Sequence, residues 1–235
     1  MSRILTIDQG TTSSRSIIFD INGDIEQVAQ EEYPLIFPND GWVEIDPDAL
    51  YKSVISTLNQ LELKGVKFGG ITNQRETTII WDKNTLEPIY NAIVWQDRRT
   101  SDYCSEIATD DNKSIVKEKT GLLIDSYFSA TKIKWILDNV EGARAKAEAG
   151  ELCFGTVDTY LMYRLSAGEV FKTDITNASR TMLFNINTLR WDDELLKLFD
   201  IPKTLLPEVV HSDSCFGSLS ELCLLYTSPS PRDKR

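Results

Sequence analysis

The stretch ILTIDQGTTSSRSIIFD, residues 4–20, predicts two strands joined by a tight polar turn that is rich in hydroxyl groups. Asn22-Gly23 follows, and this dipeptide predicts a two-residue hairpin because both central positions of such a turn require positive φ. Residues 25–33 then alternate between apolar and polar as a third strand. The chain is therefore expected to open as an antiparallel three-strand meander.

Helices and strands alternate after the meander. Asp46-Pro47 marks a helix start, with the aspartate as N-cap and the proline at the first helical position. We expect further strands over residues 66–72, 77–82, 89–95 and 170–187, and further helices over residues 129–140 and 157–165. A meander followed by this alternation predicts an α/β fold in which helices flank a mixed sheet.

The composition indicates a globular intracellular protein and narrows its partners. Of 235 residues 41% are hydrophobic, and the formal net charge of −11 argues against a nucleic-acid partner, since Lys and Arg bind phosphate backbones. The four cysteines form no CxxC pair and the chain has one histidine, which argues against a zinc site. Because no apolar run is long enough to cross a bilayer, we expect a cytoplasmic protein without membrane insertion.

The turn inside the opening stretch has the donors of a phosphate cradle. Its small residues allow backbone N–H groups to face one point, and Thr11, Thr12 and Ser13 add hydroxyl donors. Arg15 could add a charge-assisted hydrogen bond, and Asp8 could hold Mg²⁺ directly or through water. An ordinary hairpin turn, in which these side chains satisfy the local backbone, is the alternative. The Walker A pattern GxxxxGK[ST] is absent, which excludes P-loop chemistry.

Six segments, in order, resemble the amino-terminal half of the glycerol kinases, which belong to the FGGY carbohydrate kinases and have the actin-like ATPase (ribonuclease H-like) fold. They are IDQGTTSSR, GITNQRETTIIW, NAIVWQDRR, TGLLIDSYFSATKIKWIL, GTVDTYL and TDITNASRTMLFNI. The likeness extends over residues 2–221. It implies ATP-dependent phosphorylation of glycerol to sn-glycerol 3-phosphate with ATP and Mg²⁺ as cofactors, and it leaves a homo-oligomer open.

The resemblance also implies roles for individual residues. Asp8 corresponds to a magnesium-associated carboxylate, and the phosphate-binding loop for ATP and ADP corresponds to Thr11, Thr12, Ser13 and Arg15. The residues implied to bind glycerol are Arg75, Glu76, Trp95 and Tyr127. Their chemistry agrees, since a small triol offers little apolar area and must be recognised through paired donors and acceptors. Without the family, Arg75 and Glu76 would be interpreted as a solvated charge pair, Trp95 as a core ring, and Tyr127 as a ring at a helix entry with its hydroxyl in water.

The resemblance places part of the site outside this sequence. The family's catalytic base is an aspartate in a later GDQ-type motif, and no such motif occurs here. The second domain is also unmatched, so we expect residues 1–222 to be a truncated amino-terminal, glycerol-binding domain and the 235-residue chain to be nearly inactive. Residues 223–235, CLLYTSPSPRDKR, resemble the translation of a sequencing-library adapter; a native disordered tail is the alternative.

Three other interpretations stay open. A sister FGGY kinase could act on another polyol or sugar, although NQRETT and VWQDRR argue against it. An actin-like nucleotide-binding module would need the phosphate turn but no polyol pocket, and the polypeptide could also be a non-functional fragment.

Ser126 and Ala130, in DSYFSATK, depart from the family pattern DPYFSGTK, and we expect them to have small effects on the helix entry only.

Overall fold

The computed structural model describes residues 3–217, so the predicted tail over residues 223–235 lies outside the described range. The strands are β1 Arg3–Gln9, β2 Ser13–Phe19, β3 Ile25–Glu32, β4 Glu44–Ile45, β5 Val66–Asn73, β6 Ile79–Asp82, β7 Ala92–Ile93, β8 Leu152–Gly155, β9 Lys172–Asp174, β10 Phe184–Asn185, β11 Arg190–Trp191 and β12 Glu208–Val210. The helices are α1 Pro47–Asn59, α2 Ser101–Ile107, α3 Asp110–Thr120, α4 Ser129–Asn139, α5 Ala143–Glu148, α6 Val157–Leu165, α7 Ile175–Ala178 and α8 Asp193–Leu198, with a 3-10 turn at Lys203–Leu205. In this range no helix has the length and apolar composition that crossing a bilayer requires.

The central sheet has the strand order β3-β2-β1-β5. Strands β1, β2 and β3 pair antiparallel, which confirms the predicted meander. Strand β5 pairs with β1 in parallel, so the sheet is mixed, as expected. Asp8 lies opposite Arg15 on β2 and opposite Thr72 on β5, so these three residues form one row across the sheet.

The loop between β2 and β3 differs from the predicted two-residue hairpin. Gly23 has φ of 91°, but Asn22 is not among the residues with positive φ, so the predicted two-residue hairpin turn is wrong. The Asp20 carboxylate instead accepts the backbone N–H groups of Asn22 and Asp24, each at 2.9 Å. This aspartate closes a longer loop that the dipeptide alone does not specify.

Helix α1 covers one face of the central sheet. It begins as predicted at Asp46, whose side chain accepts the N–H of Asp48, with a proline at the start of the helix. Two buried hydroxyl pairs connect sheet and helix, Ser14 with Ser53 and Ser16 with Thr57, each at 2.7 Å. Because side chains alternate along a strand, the even-numbered residues of β1, including Asp8, point to the opposite face.

Two hydrophobic cores lie on either side of the antiparallel pair β6–β8. Ile79 and Trp81 of β6 belong to the core beneath the central sheet, with α1 and α6. Ile80 and Phe154 belong to the second core, which contains residues of α3, α4, α5 and α8. The alternation of side chains along the pair therefore connects the two cores.

Two predicted strands are wrong in extent. The strand expected over residues 89–95 is only Ala92–Ile93, because the chain then turns, with the Asp97 N–H donating to the Val94 carbonyl at 3.0 Å. The region 170–187 is not continuous β-structure. Asp174 accepts the backbone N–H of Asn177 at 2.8 Å and so caps the short helix α7 at that point.

Candidate active site

The turn between β1 and β2 is closed by the chain's own backbone but keeps unused donors. The Gly10 N–H donates to the Ser13 carbonyl at 2.9 Å, and the Thr12 carbonyl accepts the Tyr33 N–H at 3.0 Å. Within residues 3–217, the backbone N–H groups of Thr11 and Thr12 have no acceptor. The turn is thus a hairpin turn, as the simpler interpretation held, and it also presents free donors that suit an anion.

A buried polar network fixes this turn. The Gly10 carbonyl accepts hydrogen bonds from Gln9 Nε2 at 2.6 Å, from Gln74 Nε2 at 3.0 Å and from the Tyr33 hydroxyl. Gln9 is fully buried, and burial raises the pKa of the Tyr33 phenol above its usual value, so the phenol stays a neutral donor. Gln74 belongs to the NQRE stretch, and it therefore connects the turn to the predicted polyol-binding residues.

Asp8 and Arg15 share the open face of the sheet but differ in their partners. The Asp8 carboxylate has no hydrogen bond or ion pair with the residues that the structure describes. Arg15 donates instead to Gln30 Oε1 on β3, from Nε at 3.1 Å and from a terminal nitrogen at 2.9 Å. No cluster of three His, Cys, Asp or Glu side chains occurs among residues 3–217. A metal at Asp8 would take its other ligands from water and phosphate oxygens, a donor set that fits Mg²⁺.

Glu76 lies just after β5 in a constrained conformation. It is 3% exposed and has φ of 64°, in the left-handed region that costs free energy for a residue other than glycine. Its Oε1 accepts a hydrogen bond from Arg180 Nε at 2.6 Å. The Arg180 guanidinium also lies 5.7 Å from the Tyr127 ring and 4.9 Å from the Phe128 ring. Arg180 thus contacts both Glu76 and Tyr127, two of the residues that are predicted to bind the polyol.

Arg75 contrasts with its neighbour Glu76. Its side chain is exposed, and its guanidinium has no hydrogen bond or ion pair with residues 3–217. Its carbonyl accepts the Thr77 N–H at 2.8 Å, which holds the backbone at this point. The guanidinium therefore keeps its full set of donors for a ligand.

Trp95 and Tyr127 form an aromatic corner against the phosphate turn. Trp95 Nε1 donates to Thr11 Oγ1 at 3.1 Å, and the two rings lie 5.6 Å apart with their planes at 58°. A cleft of about 200 Å³ is lined by Trp95, Gln96, Arg98 and Tyr127. The Tyr127 hydroxyl has no partner among the described residues, so it can donate to or accept from a ligand in this cleft.

The structure therefore connects four of the nine predicted site residues in one series of contacts. Contacts run from Thr11 to Trp95, from Trp95 to Tyr127, and through Arg180 to Glu76. Neither Glu76 nor its neighbour Arg75 lines the cleft itself. Arg15 donates to Gln30, whose Nε2 donates in turn to Ser13 Oγ at 3.4 Å, so Arg15 is connected to the turn through this glutamine.

Arg180 was not predicted as a site residue. The segment TDITNASRTMLFNI was noted as a motif but received no role. A second contact also ties this segment to NQRE, because Asn73 Nδ2 donates to Asn177 Oδ1 at 3.0 Å. The available signal was therefore the motif itself, a polar run between two apolar stretches. Its side chains bind residues that were predicted to contact the polyol.

A comparison with protein-family models identifies a family over most of the chain. The model of the FGGY family of carbohydrate kinases, N-terminal domain, matches residues 3–223. Among curated proteins, the chain is 57% identical over 221 residues to glycerol kinase from Francisella philomiragia subsp. philomiragia, covering 91% of this chain and 44% of that protein. It is 56% identical over 225 residues to glycerol kinase from Alteromonas mediterranea, covering 93% and 46%. The chain spans less than half the length of these relatives.

Solved structures agree on the fold. The crystal structure of Plasmodium falciparum glycerol kinase with ADP superposes with a TM-score of 0.89 at 36% identity, covering 96% of this chain and 46% of that one. A ligand-bound xylulose kinase from Lactobacillus acidophilus superposes with a TM-score of 0.85 at 23% identity, covering 96% and 45%. At that identity the second likeness concerns the fold alone, which is the actin-like ATPase fold expected from the sequence.

Proposed function

The chain belongs to the FGGY family of carbohydrate kinases, and from this premise we propose that the protein containing it transfers the γ-phosphoryl group of ATP to glycerol. The products would be sn-glycerol 3-phosphate and ADP. The names of its relatives at 57% and 56% identity support glycerol as the acceptor. Because the chain spans less than half of those relatives, the proposal concerns the whole protein.

The observation that carries the proposal is the hydrogen bond between Trp95 and Thr11. It is 3.1 Å long and places the aromatic corner directly against the turn with free N–H donors. Phosphoryl transfer requires the acceptor hydroxyl to lie next to the transferred group, and this contact provides that adjacency within one domain. A nucleotide-binding scaffold without an acceptor would need only the turn.

On the acceptor side, three residues offer complementary hydrogen-bonding groups to a triol. Arg75 offers a free guanidinium, Glu76 a buried carboxylate held by Arg180, and Tyr127 a free hydroxyl. Trp95 covers the C–H face of the polyol and excludes water from one side. Each hydroxyl of a correct substrate would then be paired, while an analogue lacking one leaves a buried group unpaired.

On the phosphate side, Thr11 and Thr12 offer backbone N–H donors, and their hydroxyl groups and that of Ser13 lie on the same turn. Arg15 contributes positive charge on the same sheet face, although its guanidinium is bound to Gln30. Asp8 would hold Mg²⁺, directly or through water. The ion, when bound, would neutralise charge that develops on the phosphate oxygens.

The test is a coupled ADP-release assay of the complete protein with MgATP and a panel of glycerol, xylulose and gluconate. We expect glycerol to have the highest kcat/KM, by about a hundredfold or more, because unpaired hydroxyl groups in a closed site are costly. A higher kcat/KM for another polyol would replace glycerol with a sister-kinase activity, and turnover of none would refute the proposal. The same assay on the 235-residue chain tests its predicted near-inactivity; cytoplasmic location and homo-oligomerisation stay predictions.

The variant Arg75→Ala examines the acceptor assignment. Loss of charge-assisted hydrogen bonds of about 1.5–3 kcal/mol predicts a fall of about ten- to hundredfold in kcat/KM for glycerol. Arg190→Ala is the matched control, since Arg190 is also exposed and lies on β11. Equal glycerol kinetics in both variants would remove Arg75 from the site.

A further inference from the structure

Lys132 is a fully buried lysine near the start of helix α4. Its ammonium has no ion pair among the described residues. It donates to three backbone carbonyls, those of Tyr127 at 2.5 Å, Phe128 at 3.3 Å and Glu76 at 3.4 Å. An ammonium has three donors, so these three acceptors satisfy it completely, although the longest contact is at the weak end of the range.

The position of this cation is unfavourable in two respects. Burial of an ammonium costs several kcal/mol of solvation, which its partners must offset. The first turn of a helix also carries a positive partial charge, which repels a cation. Burial lowers the pKa of Lys132 to about 7, while the carboxylates of Asp97, Glu76 and Asp125 favour the charged form. An apolar side chain would fill the same space without these costs, so the contacts of the ammonium need an explanation.

Two of the three carbonyls belong to the acceptor residues. Glu76 and Tyr127 come from different segments, the loop after β5 and the entry to α4, and Lys132 bonds to both main chains. The Glu76 carbonyl also accepts from Ser129 Oγ and Thr78 Oγ1, each at 3.2 Å. These donors explain how Glu76 keeps its positive φ, because a strained conformation persists only where its surroundings hold it.

We propose that Lys132 is a positioning residue of the acceptor site, which fixes the main chain of Glu76 relative to that of Tyr127 so that both side chains meet the same polyol. It does not contact the substrate itself. The proposal rests on the proposed function only for the identity of the polyol. The claim that Lys132 fixes the main chains of Glu76 and Tyr127 relative to each other does not depend on it.

The primary test is Lys132→Met in the complete protein, which keeps the length of the side chain and removes its donors. A misplaced acceptor site predicts a rise of about tenfold or more in KM for glycerol, while KM for MgATP stays within about twofold. Lys134→Met is the matched control on the same helix, where Lys134 pairs with Asp138 at 2.8 Å. A folded Lys132→Met protein with unchanged KM for glycerol would overturn the proposal.

A second variant covers the case in which Lys132→Met does not fold. Ser129→Ala removes one of the other donors to the Glu76 carbonyl without removing a charge. It is expected to raise KM for glycerol by about threefold, in keeping with one neutral hydrogen bond. If Lys132→Met fails to fold and Ser129→Ala leaves that KM unchanged, positioning through this carbonyl is refuted.

A wild-type protein that does not phosphorylate glycerol would refute the proposed function rather than this inference. The crystal structure of Lys132→Met, or of Ser129→Ala if the first does not fold, then decides, since it needs no turnover. We expect the Glu76 backbone to leave the left-handed region or to shift relative to Tyr127. An unchanged backbone at both residues would overturn the inference.

Discussion

The two sides of the site differ in how completely the protein satisfies its own groups. On the acceptor side, the Glu76 carboxylate is bound by Arg180, and the Glu76 carbonyl accepts from Ser129 and Lys132. On the phosphate side, the Asp8 carboxylate and the Thr11 and Thr12 N–H groups have no partner within residues 3–217. Glu76 is thus held in place by the protein, whereas the groups on the phosphate side, like Arg75 and the Tyr127 hydroxyl on the acceptor side, keep free hydrogen-bonding capacity among the described residues.

This difference corresponds to the ligands that each side is proposed to bind. A neutral triol offers few groups that bind strongly, so its site gains selectivity by holding hydrogen-bond donors and acceptors in place before the triol binds. Nucleotide phosphates carry a high charge, and unpaired donors directed at them contribute most when no internal partner has to be displaced. The comparison therefore predicts that variants on the two sides separate into nucleotide-dependent and glycerol-dependent defects.

The largest effect is expected for Asp8→Asn on the phosphate side. Loss of the carboxylate that would hold Mg²⁺ predicts a fall of about a thousandfold in kcat, while KM for glycerol changes by less than about threefold. Steady-state kinetics at several Mg²⁺ concentrations measure both quantities. Asp24→Asn, in the exposed loop before β3, is the control. A defect confined to KM for glycerol would show that Asp8 acts on the acceptor side of the site and not on the phosphate side.

The next effect is expected for Arg180→Ala on the acceptor side. It leaves the Glu76 carboxylate, which is 4% exposed, without its ion-pair partner, so kcat/KM for glycerol should fall by about a few hundredfold. KM for MgATP should stay close to that of the wild type. Arg144→Ala is a matched control, because Arg144 has the same 28% exposure and pairs with Asp138 and Asp200 away from the site. Equal losses in both variants would mean that Arg180 acts only on stability.

The parts of the fold that were predicted correctly have local signals. The meander follows from alternation in β1, β2 and β3, and α1 follows from the Asp46-Pro47 cap. Helix α3 buries only Val116 and Thr120 and therefore shows little apolar stripe to predict it. The helix α7 inside the region predicted as β depends on a cap by Asp174, which competes locally with strand pairing.

For the candidate site, the grouping of several residues could be predicted, while their roles stay predictions. The resemblance identified Thr11, Trp95, Tyr127 and Glu76, and the structure brings these residues together. Their supporting residues were not identified, because the Arg180–Glu76 pair spans 104 positions and no pattern within one segment encodes it. Lys132 looks like an ordinary helical lysine in sequence, and only tertiary packing shows that it is buried.

A third prediction concerns a buried carboxylate of the scaffold. Asp158 on α6 is buried and accepts hydrogen bonds from the hydroxyls of Thr156 and Thr173, the latter at 2.8 Å. Burial raises the pKa of Asp158 to about 6, above the usual aspartate value of about 4. Between those values the folded state binds a proton that the unfolded state does not, so the free energy of unfolding falls as pH rises from about 4 to about 6.

Asp158→Asn should remove this dependence. The stability of the variant relative to the wild type is expected to rise between pH 4 and pH 7, by up to about 3 kcal/mol for a shift of this size. Thermal unfolding of both proteins at pH 4, 5, 6 and 7 measures the difference. Asp24→Asn reports what the same substitution does at an exposed position. A constant difference between Asp158→Asn and wild type over this range would show that the carboxylate is not held as the structure indicates.

The smallest effect is expected for Ser126→Pro, which restores the residue of the family pattern. Ser126 is the second residue of a turn in which the Phe128 N–H donates to the Asp125 carbonyl at 3.3 Å, a position that proline favours. Its hydroxyl contacts with Arg98 and Ser101 are long, at 3.4 Å and 3.3 Å, so little is lost. We expect a gain in stability of about 1 kcal/mol or less and a KM for glycerol within about twofold of wild type. If the distant donors Lys132 and Arg180 hold the acceptor side in place, added rigidity beside Tyr127 should not improve glycerol binding. A change in KM for glycerol of tenfold or more, which corresponds to about 1.4 kcal/mol, would show instead that the turn itself determines the geometry of the pocket.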